Sequence, residues 1–296
     1  MKELVVISGK GGTGKTSIAA AFASLAQNFV LADCDVDAAD LHLVMSPDIK
    51  EKQDFSGGKQ ASIVSEKCIG CGKCANMCRF GAISLNGPAN ETIEKTYIID
   101  PVSCEGCKVC VEFCPVEAIE FKDAINGQWF ISDTRFGPMV HAKLGIAEEN
   151  SGKLVTLIRK EAKRIAEEQN KNLLIVDGSP GIGCPVIASI TGADLVLVVT
   201  EPTLSGIHDL ERVAQLTSNF GIQTLVCVNK ADINPEMTER IEKNAKDKGL
   251  RVIGKIPYDE SFTKAQIMKA TLIEYTGGDI TEKVKSMFRE ITYALG

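Results

Sequence analysis

Eight of the eleven cysteines in this 296-residue chain fall into two runs, Cys68-x-x-Cys71-x-x-Cys74-x-x-x-Cys78 and Cys104-x-x-Cys107-x-x-Cys110-x-x-x-Cys114, the second lying 36 residues after the first. At that spacing three thiolates of one loop grip one face of an iron–sulfur cubane, and the fourth cysteine opens a helix that leads to another cluster. The same spacing is poor for two independent tetrahedral zinc sites. A second grouping, Gly9-Lys10-Gly11-Gly12-Thr13-Gly14-Lys15-Thr16, fits the phosphate-binding pattern G-x-x-x-x-G-K-[ST]. Its glycines let the backbone curl so that N–H groups point inward. Lys15 reaches the β- and γ-phosphates, and the Thr16 hydroxyl ligates Mg²⁺. The nucleotide-binding loop is therefore expected to run from Gly9 to Ser17. Two acidic stretches, Asp33-Cys34-Asp35-Val36-Asp37 and Asp177-Gly178-Ser179, offer carboxylates to that metal or to a water.

Each of these groups sits where an α/β pattern changes element. Leu4-Val5-Val6-Ile7 reads as a buried strand, and apolar positions at Ile18, Ala21, Phe22, Leu25 and Ala26 form one helix face, so the glycine loop joins a strand to a helix N-terminus. Phe29 to Asp33 is a second strand, and Leu173-Leu174-Ile175-Val176 another, each ending in aspartate. Ligands of open parallel sheets bind just beyond such strand ends. Leu154, Leu157, Ile158, Ile165 and Ala166 mark an amphipathic helix. Further strands are expected at 195–199, 224–228 and 251–254, with helices at 206–219 and 235–248, the latter opened by Asn234-Pro235. At least six parallel strands joined by right-handed crossovers follow. Residues 46–63, polar and glycine-bearing, read as a linker. A last helix, about 281–295, carries Val284, Met287, Phe288, Ile291 and Leu295 on one face, a stripe expected to pack on the sheet rather than to hold a membrane.

Composition narrows the setting. Hydrophobic residues make up 44% and charged residues 24%, as in ordinary globular chains, and the net charge of −6 argues against a broad nucleic-acid-binding face. No apolar run reaches membrane-spanning length and the start carries no signal peptide, so a cytoplasmic protein with reduced thiols is expected.

The string K-G-G-T-G-K-T at Lys10–Thr16 resembles the deviant Walker A loop of the MinD/ParA/nitrogenase-iron-protein superfamily of ATPases. That resemblance implies an α/β P-loop fold with a mainly parallel sheet flanked by helices, an ATP–Mg²⁺ site, and a nucleotide-dependent homodimer, or a heterodimer with a related ATPase. Lys10 would cross the dimer interface to the other subunit's nucleotide. Asp35 matches the switch I aspartate that orients the attacking water, and Asp177 the Walker B aspartate beside Mg²⁺. With Lys10 and Lys15, Asp35 is thereby a catalytic candidate, and Thr16, Asp35 and Asp177 form the magnesium set. Asn229 would contact the adenine and Pro257 would lie in the base-edge loop. Asn229-Lys230-Ala231-Asp232 also resembles the N-K-x-D guanine motif, so adenine and guanine both stand at this point. The cysteine runs resemble a bacterial two-cluster ferredoxin, an α+β domain, with Cys68, Cys71, Cys74 and Cys114 holding one [4Fe–4S] cluster and Cys78, Cys104, Cys107 and Cys110 the other. Arg79 departs from that pattern, standing where a proline usually follows the fourth cysteine. The expected organisation is 1–63 ATPase, 64–122 inserted ferredoxin domain, 123–296 ATPase, with the insert following the second strand. Cys184 resembles in placement the cluster-bridging cysteine of the nitrogenase iron protein, but no second bridging cysteine matches, and a buried thiol is expected. Cys34 and Cys227 receive no role.

Three functions fit these features. One is an ATP-gated electron carrier serving a redox partner, one an iron–sulfur or metallocofactor assembly ATPase of Mrp type, and one a positioning ATPase of MinD or ParA type with structural clusters. Eight internal ligands favour holding clusters for electron transfer over donating them. The insert is acidic, with six Lys or Arg against eight Asp or Glu between Val64 and Lys122, which would attract a cationic partner.

Overall fold

Leu4, Val5, Val6 and Ile7 are fully buried, and the strand they form lies inside the sheet on which the larger of two units is built. The computed structural model describes residues 1–145 and 152–296. In chain order the strands are β1 (Lys2–Ser8), β2 (Phe29–Asp33), β3 (Asp48–Phe55), β4 (Gly58–Ile63), β5 (Ile83–Ser84), β6 (Ile98–Ile99), β7 (Ile119–Ala124), β8 (Gly127–Asp133), β9 (Pro138–Leu144), β10 (Leu173–Pro180), β11 (Leu195–Thr200), β12 (Gln223–Asn229) and β13 (Arg251–Ile256). The helices are α1 (Lys15–Leu25), α2 (Leu41–Met45), α3 (Lys73–Met77), α4 (Val109–Glu112), α5 (Lys153–Glu168), α6 (Cys184–Ile190), α7 (Leu204–Asn219), α8 (Pro235–Asp247), α9 (Ser261–Ile267), α10 (Leu272–Tyr275) and α11 (Asp279–Leu295). They form two compact units. One is built from Met1–Gln53, Gln128–Leu144 and the C-terminal half of the chain; the body of the other is Asp54–Gly127.

The nine-stranded sheet has the order β13-β12-β11-β1-β10-β2-β9-β8-β3. From β13 to β9 every neighbouring pair is parallel. The inner strands β1, β2, β10 and β11 are largely apolar because helices cover both faces. On one face α1 and α11 pack on the sheet, with the Phe22 and Phe288 rings 5.4 Å apart. The stripe Val284, Met287, Ile291 and Leu295 is buried there, and Gly254 of β13 leaves the room that Met287 fills. The last helix therefore packs against the sheet, and no described helix is long and apolar enough to cross a membrane. On the other face α5 and α6 lie against β2, β9 and β10.

Two expectations are corrected. Residues 46–63 are not a linker, since they form β3 and β4, and the excursion carrying the cysteines leaves the sheet after the edge strand β3 rather than after β2. Seven of the eight residues of β3 are exposed, so its sequence lacks the apolar alternation that signals a strand, and only backbone pairing at the sheet edge defines it. β8 and β9 at the same edge also went unread.

In the second unit β4 pairs antiparallel with β7, from Gly58 opposite Ala124 to Ile63 opposite Ile119, and β5 pairs with β6, Ile83 opposite Ile99. Adding 36 to Ile63 and to Ile83 gives Ile99 and Ile119, so the two ladders are copies of one another. The backbone repeats as well. Left-handed residues recur at Gly70 and Gly106, at Gly72 and Lys108, and at Gly81 and Glu117. Each cysteine loop thus turns the same way, although Lys108 and Glu117 must adopt a conformation that glycine reaches without strain.

A buried ion pair ties the first unit together. Arg159 of α5 donates to Glu3 Oε1 of β1 at 2.6 Å and to the carbonyls of Ala188 and Thr191, fixing α6 and its C-terminus to the sheet. Both side chains are nearly inaccessible, so deleting one leaves an uncompensated charge. Arg159→Met should cost about 3 kcal/mol in urea unfolding. Lys163→Met removes the half-exposed second partner of Glu3 and should cost under about 1 kcal/mol. Equal losses would mean the pair does not anchor the fold.

Candidate functional site

The loop 9–16 leaves β1 at the centre of the sheet and ends in α1. Gly12 and Gly14 take positive φ angles of 78° and 90°, and a Cβ on Gly14 would lie 2.4 Å from the Asn229 amide nitrogen. That amide donates to Thr13 O at 2.8 Å, and Lys230 Nζ donates to Gly12 O at 3.0 Å, so the end of β12 holds the loop open. Gly9 is needed for a different reason, since a Cβ there would lie 2.1 Å from Asp209 Cβ of α7. The loop borders a cleft of about 420 Å³, which Asp35, Asn229, Pro257, Tyr258 and Phe262 also line. A larger open groove, about 1070 Å³, lies at the opposite ends of β12 and β13.

Beneath the loop the strands bring three acids together. Asp177 of β10 stands in register with Val6 of β1 and Asp33 of β2. Asp35 follows β2 and donates its backbone N–H to Asp33 Oδ1 at 3.2 Å. Lys15 Nζ lies 2.7 Å from Asp177 Oδ1, 3.1 Å from Asp35 Oδ2 and 3.3 Å from Thr16 Oγ1. Burial works against the charge on Lys15, but the carboxylates of Asp177 and Asp35 outweigh it and hold its pKa above the ordinary range. Burial, and then the Asp177 carboxylate, push Asp33 well above the usual carboxyl range. Asp35 is raised in the same direction by burial, with Lys15 opposing. Asp33 Oδ2, Asp35 Oδ1, Asp177 Oδ2 and Thr13 Oγ1 are buried without a hydrogen-bond partner. Orphaned carboxylate oxygens beside a phosphate loop fit a hard divalent cation such as Mg²⁺, which prefers oxygen ligands.

Lys10 folds back onto its own chain. Its Nζ lies 2.6 Å from Glu201 Oε1 and 3.0 Å from Ser205 Oγ, while the second oxygen of Glu201 meets Lys230 Nζ at 3.0 Å. Sequence reading missed Glu201. Its signal was the position just past the buried strand β11, where ligands of such sheets collect. Asp232 accepts from the Tyr258 N–H.

In the second unit the cysteines divide into two groups of four. Cys68, Cys71, Cys74 and Cys114 line one hollow, and Cys78, Cys104, Cys107 and Cys110 line another. Cys114 Sγ also accepts from the Ala118 N–H at 3.3 Å. Among the described residues, no three His, Cys, Asp or Glu side chains are grouped so as to hold a single metal ion. Hollows bordered by four separated thiols fit a cubane, whose irons each take one thiolate. Cys34 and Cys227 are buried, but Cys184, expected to be buried, is exposed at the start of α6. The apolar helix residues Val186 and Ile190 turn inward and leave the first turn outside. Buried His141 lies 2.9 Å from Ser132 Oγ, and burial lowers its pKa to about 4; it stands on β9 and serves packing.

A profile of the CobQ/CobB/MinD/ParA nucleotide-binding domain matches residues 4–272. An uncharacterized protein of Methanocaldococcus jannaschii is 30% identical over 293 residues, covering 98% of this chain and 96% of that protein. An uncharacterized ferredoxin of the same organism is 40% identical over 57 residues, covering 19% of this chain and 70% of the ferredoxin. Among solved structures, the septum site-determining protein MinD complexed with Mg-ADP from Pyrococcus horikoshii matches with a TM-score of 0.58 and 14% identity, covering 98% of this chain and 95% of that one. At that identity the likeness is one of fold.

The acids make a pH dependence expected. A carboxyl whose folded pKa is raised favours the folded state below the unfolded pKa and loses that advantage as the pH climbs through the folded value. Asp33→Asn should therefore raise the melting temperature of the nucleotide-free protein near neutral pH, with the gain fading below about pH 4, as the unfolded carboxyl also takes up its proton. A gain unchanged across that range would show that Asp33 is not held neutral.

Proposed function

The chain belongs to the CobQ/CobB/MinD/ParA nucleotide-binding family, and from that premise we propose that it hydrolyses ATP and couples its nucleotide state to two [4Fe–4S] clusters that pass electrons to a protein partner. The observation that carries this reading is the division of eight cysteines, four and four, between two hollows on a chain that also carries the phosphate loop. Internal ligation by eight thiolates favours electron transfer over cluster donation.

The chain's own groups supply the binding and the positioning. Backbone N–H groups of 9–16 and the α1 N-terminus face the phosphates. Lys15 exchanges its two carboxylate partners for phosphate oxygens, which frees Asp177 and Asp35. Thr16, Asp35 and Asp177 would hold Mg²⁺, which would supply positive charge to offset that of the phosphates. Asp35 orients the attacking water. The deviant Walker A loop favours adenine over guanine, although Asn229-Lys230-Ala231-Asp232 also matches a guanine motif. Lys10 leaves Glu201 for the nucleotide of a second copy, so that both sites close together about a two-fold axis.

Asp35→Ala should keep nucleotide binding and lose turnover, whereas Lys15→Ala should lose both, read by nucleotide titration and phosphate release. Turnover at the parent rate in Asp35→Ala would remove that residue from the mechanism. For the clusters, anaerobic purification should yield eight irons per chain. Redox titration without nucleotide, with ADP and with a non-hydrolysable ATP analogue should give midpoints that differ by roughly 40–130 mV, the equivalent of a coupling of about 1–3 kcal/mol. Coincident midpoints would remove the gated carrier. Release of iron on adding ATP would favour an assembly ATPase instead.

A further inference from the structure

The two hollows are built from the same positions of the repeat but not from the same residues. Every residue lining the Cys104 hollow, apart from Gly106, has its counterpart 36 residues away lining the Cys68 hollow. Most counterparts match in kind, as Ala82 matches Ala118 and Ile83 matches Ile119. Four do not. Tyr97 lines the Cys68 hollow where Ala61 lines the other, Lys73 stands for Val109, Ile69 for Glu105, and Gly72 for Lys108.

These differences are linked through contact. Gly72 lies between two of the cysteines, at a positive φ of 71°, and a Cβ there would fall 2.9 Å from the Tyr97 hydroxyl oxygen. The hydroxyl is thus pressed against the backbone between Cys71 and Cys74. On the other side Ala61, which carries no hydroxyl, stands at the position of Tyr97, and Lys108 occupies the glycine position at φ 68°. Its ammonium is paired with Glu112 at 2.5 Å, and Glu105 adds a negative charge to the same hollow. The Cys68 hollow therefore has a hydroxyl donor and the cation Lys73 with no acid among its lining residues, while the cation of the Cys104 hollow is offset.

We infer that the two cluster sites are unequal, and that the cluster held by Cys68, Cys71, Cys74 and Cys114 has the higher potential because of the Tyr97 hydroxyl, with Lys73 in support. The inference rests on the cluster reading given above. Hydrogen bonds to cluster sulfurs and nearby positive charge both stabilise the reduced, more negative core. A single electron delivered by a low-potential one-electron donor then comes to rest at the Cys68 site. The cluster at the Cys104 site returns to its oxidised core, the cluster at the Cys68 site becomes reduced, and no proton is required. Tyr97 acts as a positioning and tuning residue and not as a ligand.

The test is a dithionite titration of the full, anaerobically purified chain followed by EPR, after an iron assay. Two midpoints are expected, at least 59 mV apart, which is tenfold in the electron's distribution between the sites. Tyr97→Phe keeps the ring and deletes only the hydroxyl. It should lower the upper midpoint alone, by a threefold to tenfold change in equilibrium, or roughly 30–60 mV. Lys73→Val, which installs the counterpart's residue on an exposed position, should move the same midpoint the same way. Eight irons with coincident midpoints would overturn this inference and leave the clusters standing. So would a Tyr97→Phe variant in which the lower midpoint moves, or neither does. A preparation without iron would overturn both readings, and the iron assay reports that outcome separately.

Discussion

One ammonium group, that of Lys15, holds the nucleotide-free cleft together. Three carboxyls crowd at the ends of β2 and β10 because parallel register sets Asp177 beside Asp33 and the chain turns at once to Asp35. Without a cation among them, three buried acids could not all ionise. Lys15 satisfies two, and Asp33 is left with its proton favoured. The glycine loop above is shaped to hold that lysine, and Asn229 and Lys230 brace the loop from β12. On the function proposed above, an arriving nucleotide would do more than fill a cleft, because it would withdraw the counter-charge and make the acids available to a metal.

The second unit follows a different constraint. Its short helices and two-stranded ladders bury little, and many of its large apolar side chains, Phe80, Phe113 and Val102 among them, remain exposed. What orders it is the repeated turn, which takes the left-handed conformation at equivalent points of both halves. With so small an apolar core, such a domain would gain much of its stability from the clusters proposed at its thiols.

How much of this could be read from the sequence depended on where apolar burial or motif spacing carried the signal. The central strands, buried along nearly their whole length, were plain as apolar runs, and α7, α8 and α11 lay within two residues of their expected bounds. Cysteine spacing indicated the four-and-four grouping of thiols that the hollows display. The polar edge strand β3 left no mark because pairing, not side-chain burial, defines it. Glu201 was equally silent, since nothing in a lone glutamate tells that it will bind Lys10 and Lys230 at once. The exposure of Cys184 depended on which face α6 turns to the sheet, and seven residues are too few for a period to show it.

The pairing of β4 with β7 has an evolutionary consequence. Gly58 lies opposite Ala124, so the cysteine-bearing segment begins and ends on adjacent strands, one ladder spacing of about 5 Å apart. A module whose two ends meet can be spliced into a loop of a host without prising the host's own strands apart, and excised with as little disturbance. A segment built in this way would be portable, since its gain or loss in one recombination event would leave the strands of the nine-stranded sheet in place.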